Sequence, residues 1–106
     1  MCGIAGVFNF KDQPVTEPVL RSMTNAIAHR GPDGEGIFTD GNAGLGHRRL
    51  AILDISPKGA QPMASRNGDW VIVFNGCIYN FPELKLELQS KGHEFISTSD
   101  TEVITE

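Results

Sequence analysis

Apolar positions change their period along the chain, and that change predicts its elements. Residues 3–8, GIAGVF, read as a short buried strand built with small residues. Lys11 to Pro14 make a turn. Thr16 is a capping residue with Pro18 in the first turn behind it, so a helix is expected to begin there. Val19, Met23 and Ile27 recur every four positions and give it one apolar face, widened by Leu20, with an end near His29. HRGPDGEG, residues 29–36, reads as a loop, because Gly31, Gly34 and Gly36 break any regular element and Pro32-Asp33 suits a turn. Ile37–Thr39, a turn at Asp40-Gly41-Asn42, and Ala43–Gly46 predict a hairpin. Leu50 to Leu53 reads as a further strand and Ser56 to Ala60 as another turn.

WVIVF, residues 70–74, is the most apolar run. Short, β-branched and aromatic, it predicts a central strand with Trp70 and Phe74 in the core, ended by Asn75-Gly76. Asn80 with Glu83 has the pattern of a capping box. The helix behind it would turn Phe81, Leu84 and Leu88 inward, pair Glu87 with Lys91 on its solvent side, and stop at Gly92. Asp100 to Glu106 starts a third helix. Hairpins and helices in this order predict an α+β fold without the regular alternation of a doubly wound parallel sheet. GIAGVF lacks dinucleotide-fingerprint spacing, and no phosphate-loop or zinc-protease motif occurs.

Composition narrows the function classes. With 106 residues, 40% of them apolar, the chain is one small domain or part of a larger one. Nine basic against thirteen acidic residues leave a net charge of -4, and no basic cluster follows a nucleic-acid backbone, Arg48-Arg49 being an isolated pair. No apolar run approaches the roughly 20 residues of a membrane span. The start lacks the basic segment of a signal peptide, so a cytoplasmic location is expected. Two cysteines, Cys2 and Cys77, without nearby histidine spacing make a weak zinc case. His29, His47 and His93 are scattered and read as satisfied structural histidines. Arg30 reads as a loop brace.

Cys2 carries the candidate chemistry. A small second residue favours removal of Met1, which would leave a free α-amine within reach of the thiol. With an ordinary pKa of roughly 7.7–8.0 that amine is partly neutral at physiological pH and can act as the general base for its own side chain.

MCGIAGVF, HRGPDGEG, LGHRRLAILD, GAQPM, VFNGCIYN and SDTEVI, in that order, resemble the amino-terminal glutaminase domain of class II glutamine amidotransferases, the asparagine synthetase branch in particular. The resemblance covers essentially the whole chain. It implies an amino-terminal-nucleophile hydrolase fold, a four-layer αββα sandwich of antiparallel sheets, present here in part: 1–106 would be the amino-terminal portion of a domain nearly twice as long. It implies Cys2 as nucleophile, Asn75 (side-chain amide) and Gly76 (backbone N–H) as the oxyanion hole, Arg49 on the glutamine α-carboxylate and Asp100 on its α-ammonium. The backbone of the loop from Ala51 to Leu53, with Ile52 and Leu53, would line the pocket. The residue types suit these tasks: a guanidinium fork matches a carboxylate, and a carboxylate opposite it reads an amino acid's two charges in the right polarity. Taken without the resemblance, Arg49 is a surface charge, Asn75-Gly76 a tight turn and Asp100 a helix cap.

L-glutamine is the expected partner, along with the carboxy-terminal synthetase domain of the same protein and, as an option, a second copy in a homodimer. No nucleic acid and no membrane are expected. This segment is expected to need no cofactor or metal; ATP and Mg2+ belong to the synthetase domain. The family commonly has glutamate in NGEIYN where this chain has Cys77. That departure leaves open a sub-branch with a peptide-like or sugar acceptor, or a degenerate binding or regulatory module.

Overall fold

A computed structural model describes residues 2–52 and 54–106, so Met1 and Leu53 lie outside the described residues. The main sheet is antiparallel, in the order β1-β3-β2: β1 (Gly3–Phe8), β2 (Gly34–Asp40) and β3 (Ala43–Arg49). β2 and β3 form the expected hairpin, with Asp40 opposite Ala43 and a turn in which Gly41 takes φ +56°. A positive φ costs glycine little, so the turn is well served. β1 pairs with β3 from Gly3↔Arg48 to Phe8↔Ala43.

Helix α1 (Glu17–Ala26) covers one face of this sheet. Strand residues alternate between faces, and the covered face is poor in side chains. A Cβ on Gly44 would fall 2.7 Å from Val15 and 2.8 Å from Leu20, and one on Gly46 would fall 2.6 Å from Thr24. The buried positions of α1 are Leu20 and Thr24, and Val19 is 49% exposed. The apolar face is therefore rotated from the expected Val19 stripe, because the glycines admit the helix closest along Leu20 and Thr24. The helix also stops at Ala26, before His29, and a 3-10 turn (Ala28–Arg30) follows. β1 shows the period-2 alternation of a half-covered strand, with Ile4 and Phe8 on the open side, and is not buried on both faces.

The second half of the chain is less regular. β4 (Met63–Ala64) and β5 (Val71–Ile72) make a two-stranded ladder, which is all the strand structure that WVIVF forms. Trp70 is 70% exposed and Phe74 half-buried, so the expected central strand and aromatic core are corrected. An apolar run supplies no pairing partner by itself, and β5 finds only two residues to pair with. Leu50, Ala51 and Ile52 are not strand either; Leu53, the last residue of that expected strand, is outside the described residues. α2 (Phe81–Ser90) ends as expected at Gly92, φ +95°, with a Lys91–Glu87 ion pair at 3.4 Å. α3 (Thr101–Thr105) follows Asp100. Neither Thr16 nor Asn80 caps its helix through its side chain. No helix of the described residues is long and apolar enough to cross a membrane.

Candidate active site

β1 begins at Gly3, so its register with β3 carries Cys2 to the end of the sheet where β3 runs out into Leu50. There the Cys2 sulfur accepts the Leu50 N–H at 3.3 Å, and the thiol donates to the Leu50 carbonyl at 3.6 Å. The HRGPD loop closes around this point. Arg30 Nε donates to the Cys2 carbonyl at 3.1 Å, Asp33 N–H donates to the Arg49 carbonyl at 2.9 Å, and the Asp33 carboxylate accepts the Ala51 N–H at 2.9 Å. The loop-bracing role read for Arg30 thus has a definite object, the peptide that carries Cys2.

One cleft, with about 540 Å³ of empty space open to solvent, is lined by Cys2, Arg49, Ile52, Asn75, Gly76 and Asp100. Leu53 lies outside the described residues. Arg49 Nη1 donates to the Ser56 carbonyl at 2.7 Å, which fixes one edge of the guanidinium. Asp100 is buried and its carboxylate accepts the Ile78 N–H at 2.8 Å, just past Asn75-Gly76-Cys77. It stands at the N-cap position of α3 but makes no side-chain capping bond there, so the helix-cap reading holds for its position only. Asn75, Gly76 and Cys77 are exposed, and both cysteines are free thiols.

Further residues of the same cleft escaped the sequence reading. Gln61 donates to Thr101 Oγ1 at 3.2 Å and accepts the Phe74 N–H at 2.6 Å, tying the segment before Asn75 to the one after Asp100. Asp54, buried, accepts from Ser56 and from Thr98 N–H. The Ser56 hydroxyl, the largest influence, and the Thr98 N–H hold its carboxyl down at about 2, against 3.8 ordinarily. His47 is 1% exposed with neither ring nitrogen hydrogen-bonded, which corrects its reading as a satisfied histidine. Burial, and then the Arg49 charge, push its pKa below 6.5. The Phe74 backbone is near enough to oppose that shift without making a bond of ordinary geometry. Among the described residues no group of three or more His, Cys, Asp or Glu side chains could hold a metal ion.

A thiol, an arginine, a buried carboxylate and an Asn-Gly pair around one cleft form an arrangement suited to acyl transfer from an amino-acid amide. The whole of residues 1–106 matches the family described as Glutamine amidotransferase domain, and the chain belongs to that family. It is 45% identical over 107 residues to Asparagine synthetase [glutamine-hydrolyzing] 1 of Bacillus subtilis (strain 168), covering 98% of this chain and 17% of that protein. It is 39% identical over 105 residues to Asparagine synthetase B [glutamine-hydrolyzing] of Escherichia coli (strain K12), covering 98% and 19%, and 38% identical over 105 residues to Asparagine synthetase [glutamine-hydrolyzing] 1 of Arabidopsis thaliana, covering 98% and 18%. The chain thus spans about a fifth of the length of these relatives.

Proposed function

We propose that this chain is the amino-terminal portion of a glutaminase domain that hydrolyses L-glutamine to glutamate and ammonia through a γ-glutamyl thioester on Cys2. The observation that carries the reading is the gathering of Cys2, Arg49, Asn75, Gly76 and Asp100 around one cleft from distant parts of the chain. Glutamine enters with its carboxylate on Arg49 and its ammonium at Asp100. The backbone of Ala51 and Ile52 lines the path of its side chain.

With Met1 removed, the Cys2 amine takes the thiol proton and the sulfur attacks the amide carbon. The oxyanion that forms is met by the Asn75 amide and the Gly76 N–H, donors that are each worth about 3 kcal/mol when preorganised. The ammonium returns its proton to the leaving nitrogen, the C–N bond breaks and ammonia departs. Water then attacks the thioester, giving glutamate and the free thiol.

In the complete protein the ammonia is delivered to an ATP-dependent, asparagine-synthetase-like site. ATP and Mg2+ belong to that synthetase domain, and no residue of this chain is assigned to them. The three-stranded sheet with α1 on one face is consistent with one sheet and one helical layer of the proposed four-layer sandwich. The test is glutamate release from glutamine by the complete protein, wild type against Cys2→Ser. Release only by wild type supports the reading; equal release by both, or by neither, removes it.

A further inference from the structure

Arg49 and Asp100 stand at positions far apart in the chain, and a single buried side chain connects the segments that hold them. One oxygen of Asp54 accepts the Ser56 N–H at 2.8 Å and also the Ser56 hydroxyl. The carbonyl of that same Ser56 receives Arg49 Nη1 at 2.7 Å. The other Asp54 oxygen accepts the Thr98 N–H at 2.9 Å, two residues before Asp100. The Thr98 segment is stiff on its far side as well. Glu102 of α3 accepts the Ile96 N–H at 2.9 Å, the Ser97 N–H at 2.8 Å and the Ser97 hydroxyl at 2.5 Å. Gly59 closes the Arg49 side: a Cβ there would fall 2.5 Å from Arg49 Nη2 and 2.9 Å from the Asp54 carbonyl oxygen, so the turn packs directly on both residues.

We propose that Asp54 is a positioning residue that sets the separation between Arg49 and Asp100, and so makes the pocket select a substrate carrying both an α-carboxylate and an α-ammonium. This rests on the reading of Arg49 and Asp100 given under the proposed function. A carboxylate suits the task because it is acceptor-only and meets donors on both of its oxygens. An amide cannot, since its NH2 would face one of those donors. Asp54→Asn therefore keeps the shape and breaks one half of the link.

The test compares two reagents on Cys2 of the complete protein, with labelling rates read by intact mass. 6-Diazo-5-oxo-L-norleucine carries both α-groups and needs the spacing; iodoacetamide carries neither. Asp54→Asn is expected to slow labelling by the diazo reagent about tenfold or more, the scale of a small misplacement in an oriented reaction, and to leave iodoacetamide labelling unchanged. Diazo labelling at the wild-type rate overturns the proposal. So does an equal loss with both reagents, which would mean that Asp54 merely supports the fold around Cys2. If Asp54→Asn does not fold, Ser56→Ala carries the same comparison. It removes one donor and is expected to slow the diazo reagent alone by about threefold, the scale of one net hydrogen bond; the same two contrary results overturn the proposal there. A wild-type protein that iodoacetamide labels and the diazo reagent does not would refute the glutamine reading itself, and this inference with it.

Discussion

Cys2 meets both backbone polar groups of Leu50: the sulfur accepts the Leu50 N–H at 3.3 Å, while the thiol hydrogen is directed to the Leu50 carbonyl at 3.6 Å. In the proposed mechanism the proton moves to the α-amine and the second contact is lost. The first is strengthened, because a charged acceptor makes the better bond. The thiol is thus held where its charged form keeps a partner. Cys2→Ser is expected to reduce glutamine hydrolysis on the order of a thousandfold or more, as loss of a nucleophile does, while synthesis from supplied ammonia in the complete protein persists. Steady-state kinetics with both nitrogen donors check this.

Arg49 donates Nη1 to the Ser56 carbonyl and lines the cleft, where the proposed mechanism also asks it to receive the glutamine carboxylate. Lysine cannot serve both, since it offers a point charge without a fixed geometry. Arg49→Lys is expected to raise the KM for glutamine about tenfold or more, the scale of one lost charged hydrogen bond, with the ammonia-dependent reaction unchanged. Equal loss with both donors would assign Arg49 to folding.

Cys77 is exposed and follows the Asn75-Gly76 pair directly. It has no α-amine of its own to serve as base. Cys77→Ser is expected to be nearly silent. Cys77→Glu would add an anion near the proposed place of the substrate ammonium and is expected to lower the KM for glutamine by about 1 kcal/mol, the value of a partly solvated ion pair. kcat should change less, because the ammonium is held in ground and transition states alike. Loss of turnover in Cys77→Ser would give this thiol a chemical role.

Both shifted groups of the cleft make the fold acid-sensitive. The folded Asp54 carboxyl lies at about 2 and its ordinary value is 3.8, so the unfolded chain binds the extra proton first and stability falls as pH drops from 3.8 toward 2. The His47 pKa is lowered from 6.5, so the unfolded chain again binds the proton first and stability falls as pH drops below 6.5. Denaturant unfolding of the complete protein at a series of pH values is expected to lose the upper part of this slope in His47→Gln and the lower part in Asp54→Asn. A slope unchanged in both variants would contradict the assignment.

How far these features could be read from the sequence depended on the range of the interactions behind them. The β2–β3 hairpin and the stop of α2 at Gly92 are set by local turn chemistry, and both stand as expected. WVIVF failed because strand formation needs a partner, and Met63–Ala64 pairs only with Val71–Ile72. α1 kept its length roughly but not its face, because Gly44 and Gly46, on another element, decide which side packs. The candidate site came from resemblance to a family, since neither period nor composition brings Cys2 to Arg49. Asp54 and Gln61 stayed hidden because their partners lie far along the chain: Thr98 is 44 residues from Asp54, and Thr101 is 40 from Gln61. A polar residue in a loop gives no sign of a donor so distant.

The open face of the sheet bears on residues 1–106 taken alone. Val15, Leu20 and Met63 are the buried apolar residues among those described, while Ile4 is 50%, Phe8 60% and Phe10 91% exposed. So small a core is expected not to offset the entropy of ordering the chain. The isolated segment is expected to show little amide-exchange protection and no glutaminase activity. Strong cooperative protection in a monomer would contradict this.

In the proposed mechanism the Cys2 sulfur, beside a free α-amine, takes the γ-glutamyl group. Rapid acid quench of the complete protein turning over glutamine, followed by intact-mass and peptide-mass analysis, tests it most directly. The expected result is a chain without Met1 that carries a γ-glutamyl adduct on Cys2, with the adduct absent in Cys2→Ser. Full glutaminase activity from protein that retains Met1 throughout, or an adduct on another residue, would contradict it.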